Sequence, residues 1–192
     1  MPTSPNPQSR FLEYLVAHNR TRMRDFDQWL FQPGMLFHSL EKWWGGGGPR
    51  PGPHEGLDLY SFADARGLVK ILDQHIRIPA AFPGVIVKIS PDFLGKSIFI
   101  SHEIFSDPGR KLYSAYGHTA PLDGLTIGQV VAEGEIIAAI SAGPGRKTAL
   151  APHLHLTFAW APAGLDPDRL TWENLGRDPG ITLIDPRPVL CC

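Results

Sequence analysis

The sequence predicts an all-β domain, an antiparallel sandwich or barrel, preceded by an α-helical extension at its N-terminus. Three observations carry this expectation. Short apolar runs recur at spacings of about 10 residues with no helical stretch between them, the rhythm of hairpin-connected strands. The 20 glycines and 19 prolines are scattered between those runs rather than gathered in one low-complexity block, so they punctuate turns. Upstream of residue 43 the pattern changes, and apolar residues follow a helical period instead.

Taken in order, residues 9–31 read as helix. Phe11, Leu12, Leu15 and Val16 form one apolar stripe, and Met23, Phe26, Trp29 and Leu30 continue it. Asn19 suits the cap of a second helix after a break, and Pro33-Gly34 ends the segment. The expected division is a helical extension over residues 1–42, packing its stripe on a main domain over residues 43–192.

Trp43 and Trp44 lead into Gly45 to Gly48 and three alternating prolines, which must be loop. A charged connector over residues 64–77 separates the next motif from a series of strands. These are expected at residues 78–81, 85–89, 97–101, 112–116, 130–131 and 135–140, with turns at Pro108-Gly109, Asp123-Gly124 and Glu133-Gly134. A loop over residues 143–146 precedes a strand starting near Pro152. The polar, turn-rich segment over residues 162–180 leads to a last short strand at 181–184, stopped by Pro186 and Pro188.

Bulk properties exclude several function classes. A net charge of −1 across 192 residues gives no electrostatic case for a nucleic-acid partner and no basic run for an anionic lipid surface. No stretch approaches the roughly 18 apolar residues of a membrane span. The only cysteines, Cys191 and Cys192, are adjacent, cannot staple the fold, and read as an inert tail. Residues 1–10 lack the apolar core of a signal peptide, so either a cytosolic protein or one already without its export signal is expected.

The chemistry concentrates in the strand near residue 152. Leu154, Leu156 and Phe158 share one face, and His153, His155 and Thr157 the other. Two histidines at i and i+2 point into one space, their bases roughly 6–7 Å apart. This suits one metal site with a neighbouring base, although a surface strand with two solvated histidines fits the same run. His54-Glu55-Gly56-Leu57-Asp58 offers a further histidine and a carboxylate. Fully extended, the pair would stand roughly 13 Å apart, so Gly56 must permit a bend if both are to reach one ion. A turn with a capping aspartate is the alternative. His118, in Tyr116-Gly117-His118, directly follows a predicted strand; taken alone it fits a solvated loop residue, and only the combination with the other motifs makes it part of the set.

With these motifs in this order, the chain resembles the lysostaphin/LytM-type zinc metalloendopeptidases, which cut peptidoglycan cross-links. The HxGxD motif reads His54-Glu55-Gly56-Leu57-Asp58, the HLH strand reads Pro152-His153-Leu154-His155, and the YxH motif reads Tyr116-Gly117-His118. Residues 78–85, 128–137 and 184–186 resemble the family's flanking hairpin, G-Q turn and V-D-P segments. The resemblance covers residues 43–190 and implies a LytM-type peptidase core. It implies one Zn2+ per chain on His54, Asp58 and His155, with His118 and His153 as the unliganded catalytic pair, His153 as base and His118 stabilising the oxyanion. It also implies a peptidoglycan or other peptide substrate and a place in the cell envelope or outside the cell. Three departures stand out. Some members carry a tyrosine shortly before the first ligand, whereas here that loop holds only Trp43 and Trp44 as aromatics. The link from Tyr60 to Ile78 is long, and no export signal is visible. Two other functions stay open: a non-catalytic module that activates other cell-wall hydrolases, and an intracellular zinc peptidase acting on other peptides.

Overall fold

The structure, a computed structural model, describes residues 7–107, 109–143 and 150–190. Along the chain lie α1 (Phe11–His18), β1 (Phe26–Leu30), β2 (Leu57–Leu59), β3 (Ser61–Asp64), β4 (Val69–Ile71) and β5 (Arg77–Pro79). Next come β6 (Gly84–Pro91), β7 (Lys96–Asp107), β8 (Arg110–Pro121), β9 (Val130–Val131), β10 (Ile136–Ile140) and β11 (Leu154–Pro162). The chain closes with α2 (Trp172–Arg177), β12 (Thr182–Ile184) and α3 (Pro186–Leu190). The architecture is mostly antiparallel β, as predicted. Among the described residues no helix is long and apolar enough to cross a membrane. Pro108, most of the loop at 143–146, and Cys191-Cys192 lie outside the described residues.

The main sheet has the order β12-β11-β8-β7-β6-β9, with β2 added to β11 and β10 bridging β8 and β5. Strict alternation along its long strands explains why it is buried on both faces. Leu112 and Tyr116 of β8, Ile98 and Ile100 of β7, and Leu154, Leu156 and Phe158 of β11 enter the larger core. Tyr113, Ala115, Phe99 and Ala159 point the other way into a smaller one. That second face is closed by Leu170, Leu175 and Ile181, with Trp172 packed against it. Each fully buried Leu, Ile or Phe contributes roughly 1.5–3 kcal/mol of transfer free energy, so both faces hold the sheet in register.

Four elements differ from the sequence expectation. The helix at 9–31 is only α1, and no second helix follows it. Asn19 closes α1 rather than opening another helix, its amide donating to the Leu15 and Arg77 carbonyls at 2.7 and 2.8 Å. Phe26 and Trp29 belong to β1, which pairs with β3 and packs on Phe62 at ring-centroid distances of 5.5 and 6.4 Å. Pairing with a strand 31–38 residues away along the register Phe26↔Asp64 to Leu30↔Ser61 overrides the local helical period. Within the charged connector, Val69–Ile71 forms β4 at the edge of the β1-β3-β4 sheet. The tail expected to be turns carries α2, capped by the Thr171 hydroxyl accepting the Asn174 N–H, and α3 begins at the proline expected to end the chain's structure.

Candidate metal centre and cleft

The site is built where β2, β11 and β8 run side by side. In register, His155 of β11 lies opposite Asp58 of β2 on one side and Gly117 of β8 on the other. His54 precedes β2 and returns to this point because Gly56 lets the chain press against β11. A side chain at Gly56 would collide with the Leu156 carbonyl and the Thr157 hydroxyl. The bend that the sequence required of Gly56 is therefore a close backbone approach.

Three donor atoms meet here. His54 Nε2 lies 3.1 Å from Asp58 Oδ1 and 3.0 Å from His155 Nδ1, and His155 Nδ1 lies 2.8 Å from Asp58 Oδ1. All three residues are buried. Donors 2.0–2.1 Å from a tetrahedral zinc stand about 3.3 Å apart, so a few tenths of an ångström of outward movement would admit the ion. The surrounding groups fit the same chemistry. His54 Nδ1 donates to the Leu36 carbonyl at 3.0 Å, which leaves Nε2 bare toward the centre. His155 Nε2 faces the Thr157 hydroxyl at 3.1 Å. The other oxygen of Asp58 accepts the Trp43 indole N–H at 2.7 Å and the Arg50 guanidinium at 3.3 Å. Every donor is thus oriented by a partner on its far side, the arrangement that fixes ligand tautomer and basicity in metal sites.

His153 and His118 complete the cleft. His153 Nδ1 donates to the Ala151 carbonyl at 2.9 Å, and its Nε2 stands 3.7 Å from Asp58 Oδ1. Its ring lies edge-on to Trp43 at 5.1 Å and to His118 at 4.7 Å. His118 was expected just after a strand, but it sits inside β8. There Gly117 and His118 together face Ser97 alone, a bulge between the pairs Lys96↔Thr119 and Ile98↔Tyr116. Its φ of 63° is left-handed, a conformation costing a non-glycine residue of order 1 kcal/mol and found where structure over-determines it. The bulge aims the ring at the cleft. The structure thus brings His54, Asp58, His118, His153 and His155 around one space.

Burial sets the protonation of this space. It pushes His153 down to about 4 and His155 down to about 3, so both rings are neutral at pH 7. Burial works against the Asp58 carboxylate too, but the imidazoles around it outweigh that and hold it well below the usual carboxylate range. The cleft has a volume of about 200 Å³, and Trp44, Arg50, Glu55, Phe93, Leu150 and Trp172 line it beside the histidines. Arg50 lies over the Trp44 ring at 4.6 Å. A larger groove of about 560 Å³ runs along α1 and β1, but none of these five residues reaches it.

Sequence reasoning did not find the Leu36 carbonyl, Arg50, Asp92 or Trp172. Trp43 was recognisable only as an aromatic of the loop; its N–H on Asp58 was not. The other histidines stay out of the cleft. His102 is enclosed between the Pro83 carbonyl at 3.0 Å and the Ser114 hydroxyl at 2.8 Å, and His18 contacts the Gly134 carbonyl at 2.8 Å.

The model of peptidase family M23 matches residues 53–167. No curated protein matches the chain. Among solved structures, LytU is 18% identical with a TM-score of 0.47, covering 84% of this chain and 83% of its own. Lysostaphin in solution is 20% identical with a TM-score of 0.45, covering 83% and 55%. A zinc-containing peptidase from Vibrio cholerae is 19% identical with a TM-score of 0.39, covering 69% and 37%.

Proposed function

The chain belongs to peptidase family M23, and from that premise we propose that it is a zinc-dependent endopeptidase hydrolysing peptide bonds in peptidoglycan stems or cross-bridges. The observation that carries this reading is the meeting of His54 Nε2, Asp58 Oδ1 and His155 Nδ1 within 3.1 Å of one another, beside two further imidazoles. Two imidazoles and one carboxylate form a donor set that would hold zinc in a hydrolytic site. When bound, zinc supplies Lewis acidity that polarises the scissile carbonyl and brings the pKa of water toward neutrality.

The chain's own residues do the remaining work. Asp58 stays ionised and, with its outer oxygen held by Trp43 and Arg50, presents Oδ1 alone to the centre. His153 has its proton on Nδ1, bound to the Ala151 carbonyl, so Nε2 offers a lone pair to the attacking water. His118, on the opposite wall, faces the place where negative charge develops on the carbonyl oxygen and stabilises it by donating an N–H once its Nε2 has taken up a proton. Trp44, Phe93 and Trp172 flank the cleft and exclude water around the reacting bond. The complete donor set supports an enzyme over a binding module, which has no need of it. On this reading the protein works in the cell envelope.

The test is the metal content of the purified protein beside that of His155→Ala, with release from purified peptidoglycan and from short soluble peptides assayed on both. One zinc per chain in the native protein, lost together with hydrolysis in the variant, supports the proposal. A protein that holds no metal even after zinc is supplied would sink it. Turnover of soluble peptides with none of peptidoglycan would keep the chemistry and replace the substrate.

A further inference from the structure

Asp92 occupies the turn between β6 and β7, and its side chain is only 2% exposed. Turn chemistry accounts for one of its oxygens: Oδ1 accepts the Leu94 and Gly95 N–H groups at 2.9 and 2.7 Å. It does not account for the other. Oδ2 accepts the Ser97 hydroxyl at 2.7 Å and the backbone N–H of His118, 26 residues further on, at 2.8 Å. Ser97 in turn accepts the Trp172 indole N–H at 2.9 Å, so the carboxylate is braced from behind through Trp172, the first residue of α2 and part of the cleft wall.

The turn is pressed directly against the flank of His118. A side chain at Gly95 would come within 2.6 Å of Ser141 Cβ and the Thr119 carbonyl, and the Ser141 N–H donates to the His118 carbonyl at 2.8 Å. The left-handed backbone of His118 is therefore pinned at its N–H by Asp92 and at its carbonyl by Ser141. The ring is treated likewise. His118 Nδ1 is buried, has no hydrogen-bond partner, and makes an oblique contact with Asp92 Oδ1 at 3.3 Å. A carboxylate accepts and never donates, so it favours a proton on the nitrogen facing it, and in the neutral ring that leaves the nitrogen on the opposite edge bare.

We propose that Asp92 is a positioning residue that holds His118 with its proton on Nδ1 and its Nε2 turned to the cleft. The catalytic consequence rests on the hydrolase reading above. The orientation of the ring does not.

The test compares ring-nitrogen NMR signals of His118 in zinc-loaded, 15N-labelled native protein, Asp92→Asn and Ser97→Ala. Asparagine keeps an oxygen for the Leu94 and Gly95 N–H groups but presents an amide donor toward His118. In native protein His118 should report a protonated Nδ1 and a bare Nε2, and Asp92→Asn should abolish that preference while the His153 signals and zinc affinity stay put. Peptide hydrolysis should fall about 10- to 100-fold in kcat with KM within about twofold, the size of effect seen when an orienting partner is lost. Ser97→Ala, which leaves Asp92 and its turn in place, should shift the His118 signals the same way by less. His118 signals that superimpose on native in both variants would overturn the proposal, as would a KM change without a kcat change. Where Asp92→Asn does not fold, Ser97→Ala decides alone. If native protein hydrolyses nothing, the hydrolase reading has failed and the NMR comparison still judges this one.

Discussion

Thr157→Val removes a single hydroxyl, and the site geometry says which state of the protein should feel it. With Nδ1 of His155 directed at the metal centre, the ring's one proton must sit on Nε2, which faces the Thr157 hydroxyl at 3.1 Å. Thr157 and His155 are both buried, so no water replaces that acceptor. In the variant the Nε2 proton is left unpaired, at a cost of about 1–3 kcal/mol. The metal-free protein has an escape: the ring can shift its proton to Nδ1 and donate to Asp58 Oδ1 at 2.8 Å. The penalty therefore falls on the zinc-bound state. Competition with a chromogenic chelator should show zinc affinity about 5- to 150-fold weaker, the range given by about 1–3 kcal/mol. Thermal unfolding of the chelator-treated protein should move little by comparison. A zinc affinity within twofold of native would refute the tautomer argument. So would an equal loss in both states, which would make Thr157 a packing residue only.

Further expectations follow from the same geometry. His118→Ala and His153→Ala should keep one zinc per chain yet lose about 10²- to 10⁴-fold in turnover, as measured by metal analysis and peptide release. Gly56→Ala forces a methyl into the Leu156 carbonyl and Thr157 hydroxyl, so it should cost at least about 1–3 kcal/mol in denaturant unfolding and lower zinc occupancy as β2 shifts away from β11. Burial pushes His102 down to about 4, below its ordinary value of about 6.5. Between those pH values the unfolded chain binds the proton that the folded chain refuses. Stability from this residue is thus complete above pH about 6.5 and is lost as pH falls toward 4, at up to about 1.4 kcal/mol per pH unit. Chelator-treated His102→Asn should show a flatter pH dependence than native protein over that window.

The parts of the site that were legible in the sequence are those written in local patterns. Alternation along β11 placed His153, His155 and Thr157 opposite the apolar Leu154, Leu156 and Phe158, and the glycine in His54-Glu55-Gly56-Leu57-Asp58 announced a bend. The groups that orient those residues were not legible, for two physical reasons. Some are main-chain atoms, such as the Leu36 carbonyl on His54 and the Ala151 carbonyl on His153, and a backbone carbonyl carries no residue identity. Others reach the site from turns and helices distant in sequence, such as Asp92 and Trp172, which in the sequence are an ordinary turn aspartate and one tryptophan in a polar tail. The misread strand β1 has the same cause. Met23, Phe26, Trp29 and Leu30 satisfy a helical period, but Phe62, the partner of Phe26 and Trp29, is visible only once β3 is in place.

The hydrogen bond from His54 to the Leu36 carbonyl has a consequence for how small the working unit can be. A fragment starting at residue 43 would carry every side chain of the candidate centre and the whole span matched by the family model. It would nevertheless lack the carbonyl that chooses the tautomer of His54, the Gly34 carbonyl that anchors Arg50 at 2.8 Å, and the strand that covers the edge of β3. Such a piece would hold the right residues in the wrong protonation geometry, and dissecting the protein at that boundary would mistake a loss of orientation for a loss of chemistry.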